Sequence, residues 1–217
     1  MNILFLIIEV ICFLASITLY FQASIPQYLK TFPPYMLITI AVEITGMQFM
    51  KYKIDMSLLF TIFTAFEFEY YLLIIRYSIY KPKAKTAISW ALAIYPLLVL
   101  INMLYIQPGK FHTITYSLGC LLVVAACIYY FFEIFQSKHS VNLIKEPPFW
   151  ICSGLLFFYC CTFPLIGLWN QLSGLSHIIL KNLNAILQLL NILLYSLFSI
   201  AFLCRLRFGK SLQKNVS

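Results

Sequence analysis

The sequence predicts an all-α polytopic membrane bundle of about seven transmembrane helices, and three observations predict it. Of 217 residues, 62% are hydrophobic and 10% charged, with a mean hydropathy of +0.90. A soluble domain is nearer half apolar and a quarter charged. The apolar residues fall into runs close to the roughly 20 residues that a spanning helix needs. The lysines and arginines gather in the short gaps between runs, where anionic lipid headgroups attract them.

The runs cover residues 2–22, 35–50, 57–80, 87–107, 113–135, 149–169 and 183–206. No basic residue precedes the first run, so it reads as a retained helix rather than a cleaved signal. The second run is the shortest. Pro33-Pro34 and Pro147-Pro148 stand just before the second and sixth runs, and proline suits the first turn of a helix. Pro96 and Pro164 fall inside runs and predict kinks. The loops are too short for a separate domain. The expected organisation is one transmembrane domain, 1–206, with a basic cytoplasmic tail, 207–217.

Orientation follows from basic residues counted by loop. With the N-terminus outside, the inside segments hold Lys30, Lys81, Lys83, Lys85, Lys138, Lys145, Arg205, Arg207, Lys210 and Lys214. The outside loops hold only Lys51, Lys53, Lys110 and Lys181. Ten against four predicts N-out and C-in, and an even number of spans would break that asymmetry. Fifteen basic against seven acidic residues is therefore read as a membrane pattern, and no nucleic-acid partner is expected. The expected location is a bacterial inner membrane.

Ionisable residues inside the runs are the functional pointers, because placing one at mid-membrane costs about 2.5–3.5 kcal/mol on insertion scales. Glu9, Glu43, Glu67, Glu69 and Glu133 lie within runs. Glu43, Glu67 and Glu69 fall near mid-membrane. Glu67 and Glu69, two apart, point about 200° apart on a helix, so only one of them can join Glu43. Arg76 and Glu133 both fall near the cytoplasmic boundary and form a candidate ion pair. Asn184, Gln188 and Asn191 make a polar stripe on one face of the seventh helix, suited to bonding between helices. The candidate polar core is therefore Glu43, Glu67, Glu69, Asn184, Gln188 and Asn191.

The seven cysteines lie in or beside apolar runs without C-x-x-C spacing, and they read as small packing residues. His112, His139 and His177 form no close ligand pair and are expected at the solvated surfaces. No metal, cofactor or catalytic constellation is expected, and the chain is not read as an enzyme.

The segments Glu67-Phe68-Glu69-Tyr70-Tyr71, Phe111-His112-Thr113-Ile114-Thr115-Tyr116-Ser117-Leu118-Gly119-Cys120 and Pro147-Pro148-Phe149-Trp150-Ile151-Cys152-Ser153-Gly154 resemble those of small, uncharacterised seven-helix bacterial membrane proteins. That likeness implies a location and no activity. A shift of 114 residues also matches Phe21 with Phe135, Gln22 with Gln136, Leu29 with Leu143, Pro33 with Pro147 and Pro34 with Pro148. Two parallel three-helix units joined by helix four would be similar to the SWEET and PQ-loop transporters, and Pro26-Gln27 supplies one Pro-Gln pair. The second unit has no such pair.

The function expected from these features is that of a sensor or accessory subunit of a bacterial membrane signalling complex. Its partners would be the lipid bilayer and a cytoplasmic or membrane signalling protein. The alternative is a small-molecule transporter that couples protons through the midplane carboxylates.

Overall fold

A computed structural model describes residues 3–22, 25–136, 143–167 and 177–213. Side chains at 3–5, 167, 177–181, 184 and 205–213 are outside that description. Among the described residues the chain is all-helical, with seven α-helices. These are α1 (Ile3–Ile17), α2 (Phe32–Lys51), α3 (Ser57–Ser78), α4 (Pro82–Ile101), α5 (Thr113–Gln136), α6 (Pro147–Gly167) and α7 (His177–Gln213). Short 3-10 turns flank the α1–α2 and α5–α6 junctions, and a π turn, Asn102–Ile106, ends α4.

Local sequence sets several of these boundaries. Pro33 and Pro34 sit in the first turn of α2 and Pro147 opens α6, where a missing N–H costs nothing. Helix α2 thus begins three residues before the expected start. Asp55 accepts bonds from the Ser57 amide (3.0 Å) and hydroxyl (2.8 Å) beside the start of α3. Those two donors hold its carboxyl below the usual carboxylate value. Helix α4 starts at Pro82, earlier than the apolar run, because its first turn is a lysine-bearing segment. Helix α7 continues past Leu206 to Gln213, so most of the expected tail is a continuation of this helix. Its 37 residues extend about 55 Å at 1.5 Å per residue.

Five segments are long and apolar enough to cross a membrane: Ser57–Ser78, Pro82–Ile106, Thr113–Gln136, Pro147–Ile166 and Ala185–Cys204. Leu6–Phe21 is apolar but shorter. The chain is a multi-pass membrane protein, and its surface agrees with that. Ile114, Leu121, Ile128 and Phe135 are all exposed on α5 at seven-residue spacing, a continuous apolar stripe that water would penalise and lipid accepts.

Helices adjacent in sequence pack side by side. Helix α1 lies against α2 and α7, α6 lies between α5 and α7, and α4 lies against α3 and α5. Helix α3 has the most central place, meeting α2, α4, α5 and α6. Lipid tails supply no hydrophobic force between helices, so packing and hydrogen bonds hold them together. Here the packing is aromatic. Tyr35 of α2 stacks on Tyr70 of α3 with ring centroids 4.1 Å apart and planes 7° apart. Phe32 meets Phe202 of α7 at 5.0 Å, and Phe68 meets Tyr159 of α6 at 5.1 Å.

All seven cysteines are free and five are buried. A close helix contact lies at Gly119 of α5. A methyl group there would sit 2.5–2.7 Å from the ring of Phe68, itself wholly buried. Gly119→Ala should therefore destabilise the protein by about 1–3 kcal/mol, the cost of overpacking. Phe68→Leu in the same chain should recover part of the loss. Equilibrium unfolding in mixed micelles reads both values, and a wild-type midpoint for Gly119→Ala would contradict the α3–α5 contact.

Candidate functional site

The bundle has an N-terminal end, where α1 starts and α2 turns into α3, and a C-terminal end, where α3 turns into α4. Glu9 is six residues into α1, Glu67 ten residues into α3 and Glu43 eight residues before the end of α2. At 1.5 Å per residue these are depths of about 9, 15 and 12 Å from the same end. The three carboxyls lie at similar depth, with Glu9 within electrostatic reach of both Glu43 and Glu67.

Glu67 is the anchored member. Its Oε1 accepts a bond from the Tyr71 hydroxyl at 3.1 Å, and the Tyr35 hydroxyl lies 3.2 Å away. Tyr35 donates to Tyr71 at 2.8 Å. A relay from Tyr35 to Tyr71 to Glu67 thus ties α2 to α3, and each bond polarises the next. Glu43 is half-buried. Glu9 is wholly buried, and the Tyr195 hydroxyl of α7 faces it as a hydrogen-bond donor. The Tyr159 hydroxyl on α6 is also buried and unbonded, within reach of Glu67 and Tyr35.

The other sequence candidates lie elsewhere. Glu69 points away from Glu67, half-buried and within reach of Tyr95 on α4, with Oε1 buried and unbonded. Asn191 donates to the Leu187 carbonyl of its own helix at 2.9 Å. Gln188 is half-buried, and the side chain of Asn184 lies outside the described residues. Glu9, Tyr35, Tyr71 and Tyr159 were absent from the core expected from sequence. Depth counted from a common end was the available signal for Glu9. The tyrosines gave none, because aromatic residues are abundant in every run.

The expected Arg76–Glu133 ion pair does not form. The Arg76 Nε donates to Ser89 Oγ on α4 at 2.7 Å, and its guanidinium lies 5.7 Å from the Tyr77 ring centroid. Glu133 accepts the Tyr80 amide at 2.7 Å and the Lys81 amide at 2.6 Å. The free N–H groups at the start of α4 are the closer donors, and they occupy both carboxylate oxygens. Beside this clamp is a cavity of about 870 Å³, bordered by Tyr28, Tyr77, Tyr80, Tyr130, Glu133 and Glu146.

His112 is also not at a solvated surface. It is wholly buried between α3 and α5. Thr64 Oγ1 donates to the Phe60 carbonyl at 2.7 Å and so accepts from His112 Nε2 at 2.8 Å. Thr115 Oγ1 lies 2.6 Å from Nδ1 and accepts from Asn102 Nδ2 at 3.1 Å. This network assigns the neutral ring with its proton on Nε2. Burial pushes the His112 pKa down to about 4. Among the described residues, no three His, Cys, Asp or Glu side chains are placed to hold a metal ion.

Comparison with protein-family models, curated proteins and solved structures gives no match.

Two predictions follow from the ends of the bundle. Glu133→Ala should cost about 1–2 kcal/mol for the lost cap, and Arg76→Ala should add to it independently. A double-mutant cycle should then give a coupling within about 0.5 kcal/mol of zero, and a larger coupling would restore the ion pair. For His112, the folded pKa lies below the unfolded value, so between them the unfolded state binds more protons. Stability should fall as pH drops from about 6.5 towards about 4. His112→Gln should flatten that slope in unfolding measured across this range, and an unchanged slope would move the cause to another group.

Proposed function

We propose that the chain is a seven-span protein of a bacterial cytoplasmic membrane, N-out and C-in, acting as a sensor or accessory subunit of a signalling complex. In this reading Leu6–Phe21 and α2 complete the seven spans. The Glu9–Glu43–Glu67 cluster then lies in the outer half of the bilayer, and the Glu133 clamp lies at the cytoplasmic face.

One observation carries the choice of sensor over transporter. From the carboxylates toward the cytoplasmic end, the bundle is filled by Tyr35, Tyr70, Phe32, Phe198 and Phe202, whose successive rings lie 4.1–6.3 Å apart. A transporter must open its site to both faces in turn, and this aromatic layer separates the site from one face. A sensor needs only a rigid element that carries a change past the layer. Helix α3 fits that need. It holds Glu67 in the cluster, and its last turn leads directly into the Tyr80 and Lys81 amides held by Glu133.

Glu67→Gln should fold, because the amide keeps the shape of the carboxyl, yet it should weaken the relay and shift α3 against α5. Spin labels at Leu73 on α3 and Gln136 on α5, both exposed, should report an altered distance distribution in lipid nanodiscs. Proteoliposomes should show no solute-driven proton flux, and a reporter fused at Ser217 should read as cytoplasmic. Flux abolished by Glu67→Gln would favour the transporter. An unchanged distance distribution would remove the α3 mechanism.

A further inference from the structure

We propose that the cavity at the C-terminal end of α3 binds a primary ammonium group, carried either by a lipid headgroup or by a soluble amine. Its volume is about 870 Å³, a size that admits a small organic molecule. The α1–α2 junction, the end of α3, the end of α5 and the start of α6 border it. It lies at the opposite end of α3 from Glu67, so the proposal does not rest on the sensor reading. Glu133 borders the cavity and is 7% exposed. The Tyr80 and Lys81 amides that bond its two oxygens are neutral donors. They orient the carboxylate without cancelling its charge. No lysine or arginine side chain among the described residues bonds Glu133, whereas a buried charge normally has a counter-charge. Each carboxylate oxygen also keeps a second lone-pair site for an N–H donor.

The other bordering groups narrow the class. Tyr130 is 4% exposed and borders the cavity, yet its hydroxyl bonds no described residue. It lies within electrostatic reach of Glu146, as does the Tyr28 hydroxyl from the α1–α2 junction. A second carboxyl and two phenol oxygens, all able to accept from an N–H, thus border the same cavity as Glu133. Tyr28 stacks on Tyr77 with centroids 5.6 Å apart and planes 12° apart, and Tyr80 completes the aromatic border. Aromatic rings attract cations. Lys81 also borders the cavity, but its ammonium goes to Gln136 Oε1 at 3.4 Å and over the Phe132 ring rather than to Glu133. An anion would meet two carboxylates here, and a quaternary ammonium has no N–H for the open lone pairs.

The test uses the full chain in phosphatidylcholine nanodiscs, whose own headgroups carry no N–H. Calorimetric titration compares propylammonium, propyltrimethylammonium, propanol and sodium chloride at matched ionic strength, with empty nanodiscs as the baseline. Propylammonium should bind saturably and about tenfold more tightly than propyltrimethylammonium, the worth of one charge-assisted hydrogen bond. Glu133→Gln should weaken binding about tenfold and Tyr130→Phe severalfold, while Asp55→Asn at the other end of α3 should leave it unchanged. If Glu133→Gln fails to fold, Glu146→Gln and Tyr130→Phe carry the test. Nanodiscs that mix phosphatidylethanolamine with phosphatidylcholine distinguish the two sources. Propylammonium affinity lost there identifies a lipid headgroup as the ligand, and unchanged affinity identifies a soluble amine; either result keeps the assignment. Absence of saturable propylammonium binding to folded protein, equal binding of the trimethyl analogue or of sodium, or wild-type affinity in the cavity variants would overturn it.

Discussion

In hydrocarbon a polar group has no water to turn to, and each one must find its partner inside the bundle. The arrangement of α3 depends on this constraint. Its acid at Glu67 is met by tyrosines from α2 and from its own next turn. Ser78 returns its hydroxyl to the Ile74 carbonyl at 2.9 Å. Beyond its last turn, the amides that open α4 are met by a carboxylate from α5. A helix tied at both levels to different neighbours is held in register by its polar groups, while its rings supply contact area. The same rule makes Glu9 conspicuous. Its oxygens are wholly enclosed, and the Tyr195 hydroxyl of α7 is the donor that faces them.

Aromatic packing explains why the polar groups can be so unevenly distributed. Rings from α2, α3, α6 and α7 interlock around Tyr70 and Tyr71, and edge-to-face pairs add about 0.5–1.5 kcal/mol each beyond area burial. Tyrosine serves twice, with its ring in the packing and its hydroxyl at Glu67. Closeness to α5 then requires a residue without a side chain opposite Phe68, and Gly119 provides it. Thus the ring layer that supports the carboxylates also fixes the separation of α3 from α5.

Helix type and rough position were legible in the sequence because apolar run length answers directly to bilayer thickness. The proline pairs marked the α2 and α6 starts for a similarly local reason. Side-chain partners were less legible. Arg76 and Glu133 share a depth, but depth does not fix azimuth, and the amides at the α4 start stand nearer to Glu133 than any guanidinium. His112 was misplaced because a loop position next to a helix start suggests solvent, whereas threonines on α3 and α5 offer it two buried partners. Residues 207–213 looked like a tail by charge, yet nothing in them breaks a helix except Gly209, which costs only about 1 kcal/mol. Glu9 was counted among the membrane acids and left out of the core because its neighbours on α2 and α3 run in opposite directions. Only counting from a common membrane face aligns the three.

A proton taken up at the carboxylates would change the protein only by its difference in affinity for two packings of α3. Moving such an equilibrium from 1:99 to 99:1 needs about 5.5 kcal/mol of difference. The Tyr35–Tyr71–Glu67 relay is a means of producing a difference of that kind, since a proton arriving at Glu67 competes with hydroxyls that join α2 to α3. Hydrogen bonds to charged groups are worth about 1.5–3 kcal/mol each, so exchanging two of them reaches the required order. In the proposed sensor the response would be carried by α3 as a unit, because its neighbours pack against it with rings that admit discrete arrangements more readily than continuous sliding. At its far end the Glu133 clamp grips backbone amides rather than a flexible side chain, so a shift of α3 reaches the start of α4 without being absorbed in a rotamer change.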